Sequence, residues 1–232
     1  MKSILSFIAV LALTTSCMVG VTGSGKVVEE NRNVEEFDGI DASGMFEIHL
    51  VQADVHRLKV VADDNLMELI ETYVEGGVLH IRSRKNIGKA KELDVYISSP
   101  DYESIQLSGA VTIDNKGTLD INDLDIESSG AAQITLSVDA DDIKMELSGA
   151  TELKMSGTAD KVSIEGSGAS ECKMFDLNCR KMRIDVSGAS ELEVNVSEEL
   201  EIEASGASDI RYRGNGRIVR QNLSGASNVV KD

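Results

Sequence analysis

Tryptophan is absent from the 232 residues, and 4 Tyr and 4 Phe are the remaining aromatics. Platforms for stacking sugar rings are therefore scarce. Proline occurs once, at Pro100, where Ser98-Ser99-Pro100 reads as a turn between strands. The 3 cysteines form no Cys-x-x-Cys pair, which removes the zinc and thioredoxin-type readings. Basic residues are few: 23 Lys plus Arg stand against 40 Asp plus Glu, for a formal charge of −17. A nucleic-acid partner needs a basic footprint, so that function is excluded. The acids suit a solvated, soluble surface instead, and discourage strands from pairing edge to edge. The apolar run Ile4 to Leu13 is too short for a membrane-spanning helix.

What is abundant is one tripeptide. Ser-Gly-Ala recurs with its glycines at Gly109, Gly130, Gly149, Gly168, Gly188, Gly206 and Gly225, a period near 19 residues. A fixed period of that size marks one structural unit stacked on copies of itself. Around each tripeptide every second residue is apolar or small, as in Ile143, Met145, Leu147, Gly149, Thr151, Leu153 and Met155. That alternation belongs to a strand with one buried and one solvated face. The phase passes through the tripeptide. It predicts that the glycine and the Ser or Thr two residues later face inward, leaving the Ser and Ala of the motif outside. Parallel strands in a βαβ sheet need crossover helices, for which there is no room. Hairpins favour Asn-Gly or Asp-Gly turns, which do not recur at the period. The expected fold is all-β: a parallel β-solenoid with coils of about 19 residues.

The chain divides into four stretches. Residues 1–16 read as a secretory signal, with Lys2 as its charged start and Thr14-Thr15-Ser16 before Cys17 as its cleavage site. Cys17 is then the acylated first residue of a bacterial lipoprotein. Residues 17–26 are expected to be a flexible tether. They nearly spell a phosphate loop through Gly20, Gly25 and Lys26, but Val27 stands where Ser or Thr must contact magnesium. Residues 27–107 are an irregular β region that starts and caps the stack. They carry a short helix after Asp63-Asp64-Asn65, a hairpin at Gly76-Gly77, and a degenerate corner at Ala42-Ser43-Gly44. Residues 108–230 are the repeats, continuous with the region before them.

Several stretches together resemble the family of putative auto-transporter adhesins with a head GIN domain, common in exported proteins and lipoproteins of Bacteroidetes-type bacteria. They are Phe37-Asp38-Gly39-Ile40, Glu75-Gly76-Gly77-Val78-Leu79-His80-Ile81, the Ser-Gly-Ala-Ser series, and Tyr212-Arg213-Gly214-Asn215-Gly216. The resemblance covers about residues 27–230. It implies a right-handed parallel β-helix-like fold and an adhesive role, and it brings no catalytic residues.

No catalytic constellation, metal site or cofactor is predicted. His49, His56 and His80 are scattered, without a nucleophile or carboxylate at a fixed spacing. Asp139, Asp141 and Asp142, and Asp120, Asn122, Asp123 and Asp125, lack the sequence patterns of calcium-binding loops. Arg211, Arg213, Arg217 and Arg220 form a local basic group that offsets acidic neighbours. An exported location permits a disulfide between Cys172 and Cys179, although Cys172 occupies a buried position equivalent to Leu153 and Leu192. The expectation is a non-catalytic protein of the cell envelope, lipid-anchored in the outer membrane. It would be an adhesin or surface scaffold for a protein or glycan ligand, and could self-associate. The alternative is a β-helix protein that binds or cleaves envelope polysaccharide.

Overall fold

From Leu119 to Gly206 the chain is extended without interruption, and its residues alternate between buried and exposed. The computed structural model describes residues 20–232. It is mostly β, with 78% strand against 2% helix, one large sheet and no closed barrel. The expected signal segment, residues 1–16, and Cys17 lie outside the described residues.

Parallel pairing at the repeat offset organises the sheet. Ser104–Lys116 pairs with Leu119–Gly206 so that Leu107 meets Ser128, Ser108 meets Ser129, Gly109 meets Gly130 and Ala110 meets Ala131. Its other edge pairs with Gly39–Gly44, placing Leu107 on Ala42, Ser108 on Ser43 and Gly109 on Gly44. The degenerate corner at Ala42-Ser43-Gly44 is therefore a true member of the stack. At the far end Glu191 to Asn195 pairs with Asp209–Arg213, which pairs in turn with Asn228–Lys231.

The inward positions form apolar columns. Ile40, Ile105, Ile126, Met145, Ile164, Ile184 and Ile202 are all nearly inaccessible to solvent. So are Ile48, Ile113, Ile134, Leu153, Cys172, Leu192 and Ile210. A repeat cannot bury such a face alone, so each rung depends on the rungs above and below it.

The tripeptide departs from expectation. Thr151, Ser170, Ser190 and Ser208 are buried as predicted, but most of the tripeptide glycines, Gly149 among them, are exposed rather than inward. The reason is backbone conformation: all seven have positive φ, from 72° at Gly225 to 157° at Gly130. Positive φ swings the side-chain position away from the core and along the stack. A Cβ on Gly109 would lie 2.6 Å from the carbonyl oxygen of Gly44, and one on Gly225 would lie 2.5 Å from that of Gly206. The glycine is required because backbone lies directly on backbone.

A change of strand direction ends the stack. Val78–Ser83 runs parallel to Gly39–Gly44 but antiparallel to Ile70–Glu75. Leu93–Ser99 runs parallel to Glu47–Gln52 and antiparallel to Arg57–Asp63, whose other edge holds Val27–Arg32. That outermost strand, Val-Val-Glu-Glu-Asn-Arg, is charged enough to discourage further pairing. The hairpin turns at Gly76 and Gly77, with φ of 61° and 83°, and the short helix is Asp64–Met67. The described part of the expected tether is instead docked. Val21–Thr22 pairs with Ile87–Lys89, and buried Asp63 accepts hydrogen bonds from the backbone N–H groups of Gly25 and Lys91. A carboxylate buried among backbone donors fixes the chain that supplies them.

Candidate functional site

The exposed glycines form the crest of a ridge, and the residues three before and three after each one are acidic in four successive rungs. The pairs are Glu146 and Glu152 around Gly149, Glu165 and Glu171 around Gly168, Asp185 and Glu191 around Gly188, and Glu203 and Asp209 around Gly206. Alternation puts both on the solvent face, so the ridge runs between two rails of carboxylates. One flank is a groove lined by Ser108, Ser129, Ser148 and Ser167 together with Glu127, Glu146 and Glu165. The other is lined by Ala150, Ala169, Ala189 and Ala207 with Glu152, Glu171 and Glu191. With strands about 4.8 Å apart, three steps carry the acid-railed part over roughly 14 Å.

Cations from the next columns offset part of this charge. Lys144 lies 2.6 Å from Glu146, Lys173 2.5 Å from Glu171, and Arg220 3.0 Å from Glu203. Arg183 sits 3.9 Å from Asp185 and 3.8 Å from Glu203. Such exposed pairs contribute little stability each, but they decide where negative charge is left over. Among the described residues Glu127, Glu152 and Glu165 have no such partner. The C-terminal arginines are absorbed in the same way. Arg211 pairs with Glu191 and Glu193, Arg217 with Glu199 at 3.5 Å, and Arg213 lies 3.8 Å over the Phe175 ring. At the polar corner Arg180 bridges Asp160 and Glu198, and its hydrogen bonds hold the Asp160 carboxyl below its ordinary value.

Each histidine has a partner that sequence spacing does not show. His49 Nδ1 lies 3.0 Å from Asp114, and His80 Nδ1 lies 2.9 Å from Asp41. His56 Nδ1 lies 3.3 Å from Ser99 Oγ. That serine is buried and donates to the Phe37 carbonyl at 3.0 Å, so it is a structural hydroxyl and not an exposed nucleophile. The signal for the two His–Asp pairs was the register. Asp114 stands beside His49, and Asp41 beside His80, on paired parallel strands.

Cys172 and Cys179 are both buried free thiols, so the bridge that export would permit is not made here. Burial pushes both up to about 12, which keeps them protonated and unreactive at neutral pH. In the acidic corners Thr158 donates to Asp139, and Lys161 lies 3.1 Å from Asp142. The three potential metal ligands that do converge among the described residues are Glu47, His49 and Asp94.

The model of the family described as "Putative auto-transporter adhesin, head GIN domain" matches residues 36–216. No curated protein matches. Among solved structures, a putative adhesin from Bacteroides fragilis is 23% identical with a TM-score of 0.79, covering 91% of this chain and 98% of that one. A putative adhesin from Parabacteroides merdae is 16% identical, with a TM-score of 0.71 and coverages of 91% and 98%. A putative lipid binding protein from Parabacteroides distasonis is 20% identical, with a TM-score of 0.67 and coverages of 91% and 99%. At these identities the likeness is one of fold.

Proposed function

Since the chain belongs to the putative auto-transporter adhesin, head GIN domain family, we propose that it is a non-catalytic adhesin or surface scaffold of the cell envelope that meets its partner along the glycine ridge. The observation that carries this reading is the ridge itself. Seven tripeptides present a straight strip of small residues, and no side-chain entropy is lost when a partner covers Ala or Gly. The acid rails favour a neutral or basic polymer and repel an acidic polysaccharide. That weighs against cleavage of acidic glycans, as does the scarcity of aromatic platforms.

The same reading makes the fold a right-handed β-solenoid. Parallel register at the repeat offset supports a solenoid, and the strong right-handed preference of crossovers between parallel strands supports the hand. Residues 27–107 are its cap and 108–230 its repeats. Export follows from the signal-like residues 1–16, and anchoring in the outer membrane from acylation of Cys17.

A glycan and protein array probed with the purified domain, run beside a reducing-end assay, tests the proposal. Binding without turnover is expected, and it should be lost in a Ser148→Lys, Ser167→Lys, Ser187→Lys variant. Turnover of any polymer, or unchanged binding by that variant, would overturn it.

A further inference from the structure

We propose that Glu47, His49 and Asp94 form a binding site for a divalent transition metal of the zinc class, at the capped end of the stack, where Glu47, three residues after Gly44, continues the column of one acidic rail. The three residues come from adjacent strands. Glu47 and His49 share the outward phase of Glu47–Gln52, and Asp94 stands beside Glu47 in the parallel partner Leu93–Ser99. One ring nitrogen of His49 and one carboxylate oxygen from each acid lie within 4.8 Å of one another. A tetrahedral zinc with bonds near 2.1 Å needs its ligand atoms about 3.4 Å apart. Closing the difference takes side-chain rotation, which the exposure of Glu47 leaves free.

The imidazole sets this cluster apart from the other acidic groups on the surface, and three observations show it prepared for a metal. First, Asp114 approaches His49 Nδ1 at 3.0 and 3.1 Å from the strand on the other side. A carboxylate on one ring nitrogen fixes the tautomer and leaves the lone pair on Nε2, the arrangement that surrounds metal-bound histidines. Second, the ring lies against Tyr96, with centroids 4.8 Å apart and planes 30° apart, which limits its rotation. Third, negative charge accumulates without an opposing side chain. Lys59 is drawn to Glu29 and sits 4.4 Å over the Tyr96 ring, and among the described residues neither Glu47 nor Asp94 is ion-paired. One nitrogen and two oxygens suit zinc, whereas calcium and magnesium take oxygen alone. His80 provides an internal comparison: Asp41 holds its Nδ1 in the same way and its ring packs on Tyr73 as His49 packs on Tyr96, but it is not part of the converging group.

The test uses tag-free protein titrated with Zn2+ by calorimetry, and with Co2+ by visible absorption as a reporter of the ligand field. One equivalent should bind saturably, with Co2+ competing and millimolar Ca2+ failing to displace it. His49→Ala, and separately the double variant Glu47→Gln, Asp94→Asn, should abolish binding while circular dichroism stays unchanged. Asp114→Asn should weaken it roughly 10- to 100-fold through loss of the orienting hydrogen bond. His80→Ala should bind as the parent does. No saturable Zn2+ binding, equal loss in His80→Ala, retention in the folded double variant, or displacement by equimolar Ca2+ would each overturn the site.

Discussion

Replacing Gly168 with alanine separates two reasons for a glycine that are usually confounded. Its φ is +123°, and a Cβ there would stand 3.0 Å from the backbone nitrogen of Gly149 and closer still to that residue's carbonyl oxygen. Gly76, in the hairpin turn, also has positive φ, at +61°, but a Cβ there meets nothing within 4 Å. Alanine at position 76 bears only the conformational penalty, about 1 kcal/mol. Alanine at 168 bears a strained backbone worth roughly 1–3 kcal/mol. It must also push two rungs apart, an overpacking cost of about 1–3 kcal/mol. The expected loss is therefore about 4 kcal/mol against about 1. Guanidinium unfolding followed by circular dichroism near 218 nm reads the difference. With a denaturant slope of roughly 5 kcal/mol/M for a chain of this size, the midpoint should fall by about 0.8 M for Gly168→Ala and about 0.2 M for Gly76→Ala. Equal shifts would refute the claim that backbone stacking, and not φ alone, requires the glycine.

Three other predictions concern charge and burial. Cys172 and Cys179 should resist alkylation by iodoacetamide at pH 8 in the folded protein and react fully in denaturant; rapid labelling of the native state would contradict their burial. Because their folded values are raised to about 12 from an ordinary 9, folding protects the protonated thiol. Their contribution is complete below pH 9 and is lost as the pH rises towards 12. Tyr102, pushed up by burial, acts in the same direction. Thermal unfolding should thus move to lower temperature above pH 9, and less so in a Cys172→Ala, Cys179→Ala variant than its own neutral-pH stability would suggest. A rise in stability over that range would show the sign to be wrong. On the acid rails, Glu165→Gln should stabilise by about 0.5 kcal/mol in low salt, because like charges on adjacent strands repel. The gain should vanish near 0.5 M NaCl, where screening is short-ranged; a gain independent of salt would exclude electrostatics as its cause.

Local pattern reached far into this fold. Alternation from Ile143 to Met155 fixed which residues are buried at every position but Gly149, because side chains on a strand point to opposite faces and apolar ones leave water. Even the displaced corner at Ala42-Ser43-Gly44 was readable, since it keeps the order of its small residues. The acid rails were readable too, as acids three residues on either side of each repeated glycine, but they gain meaning only once successive rungs align. The docking of Val21–Thr22 was not readable, because its partners near Asp63 and Lys89 are remote in sequence.

The sequence by itself determined a stacked all-β chain, its period, its buried columns and the location of its corners. Those follow from short-range alternation and from repetition, which need no knowledge of distant contacts. Only the tertiary structure decided what the tripeptide glycine does and which histidines have acidic partners. The glycine faces its counterpart one rung away because positive φ turns it along the stack, and alternation cannot report φ. His49 meets Asp94 and Asp114 through register across three strands, and register is set by how the whole stack packs, not by spacing along the chain.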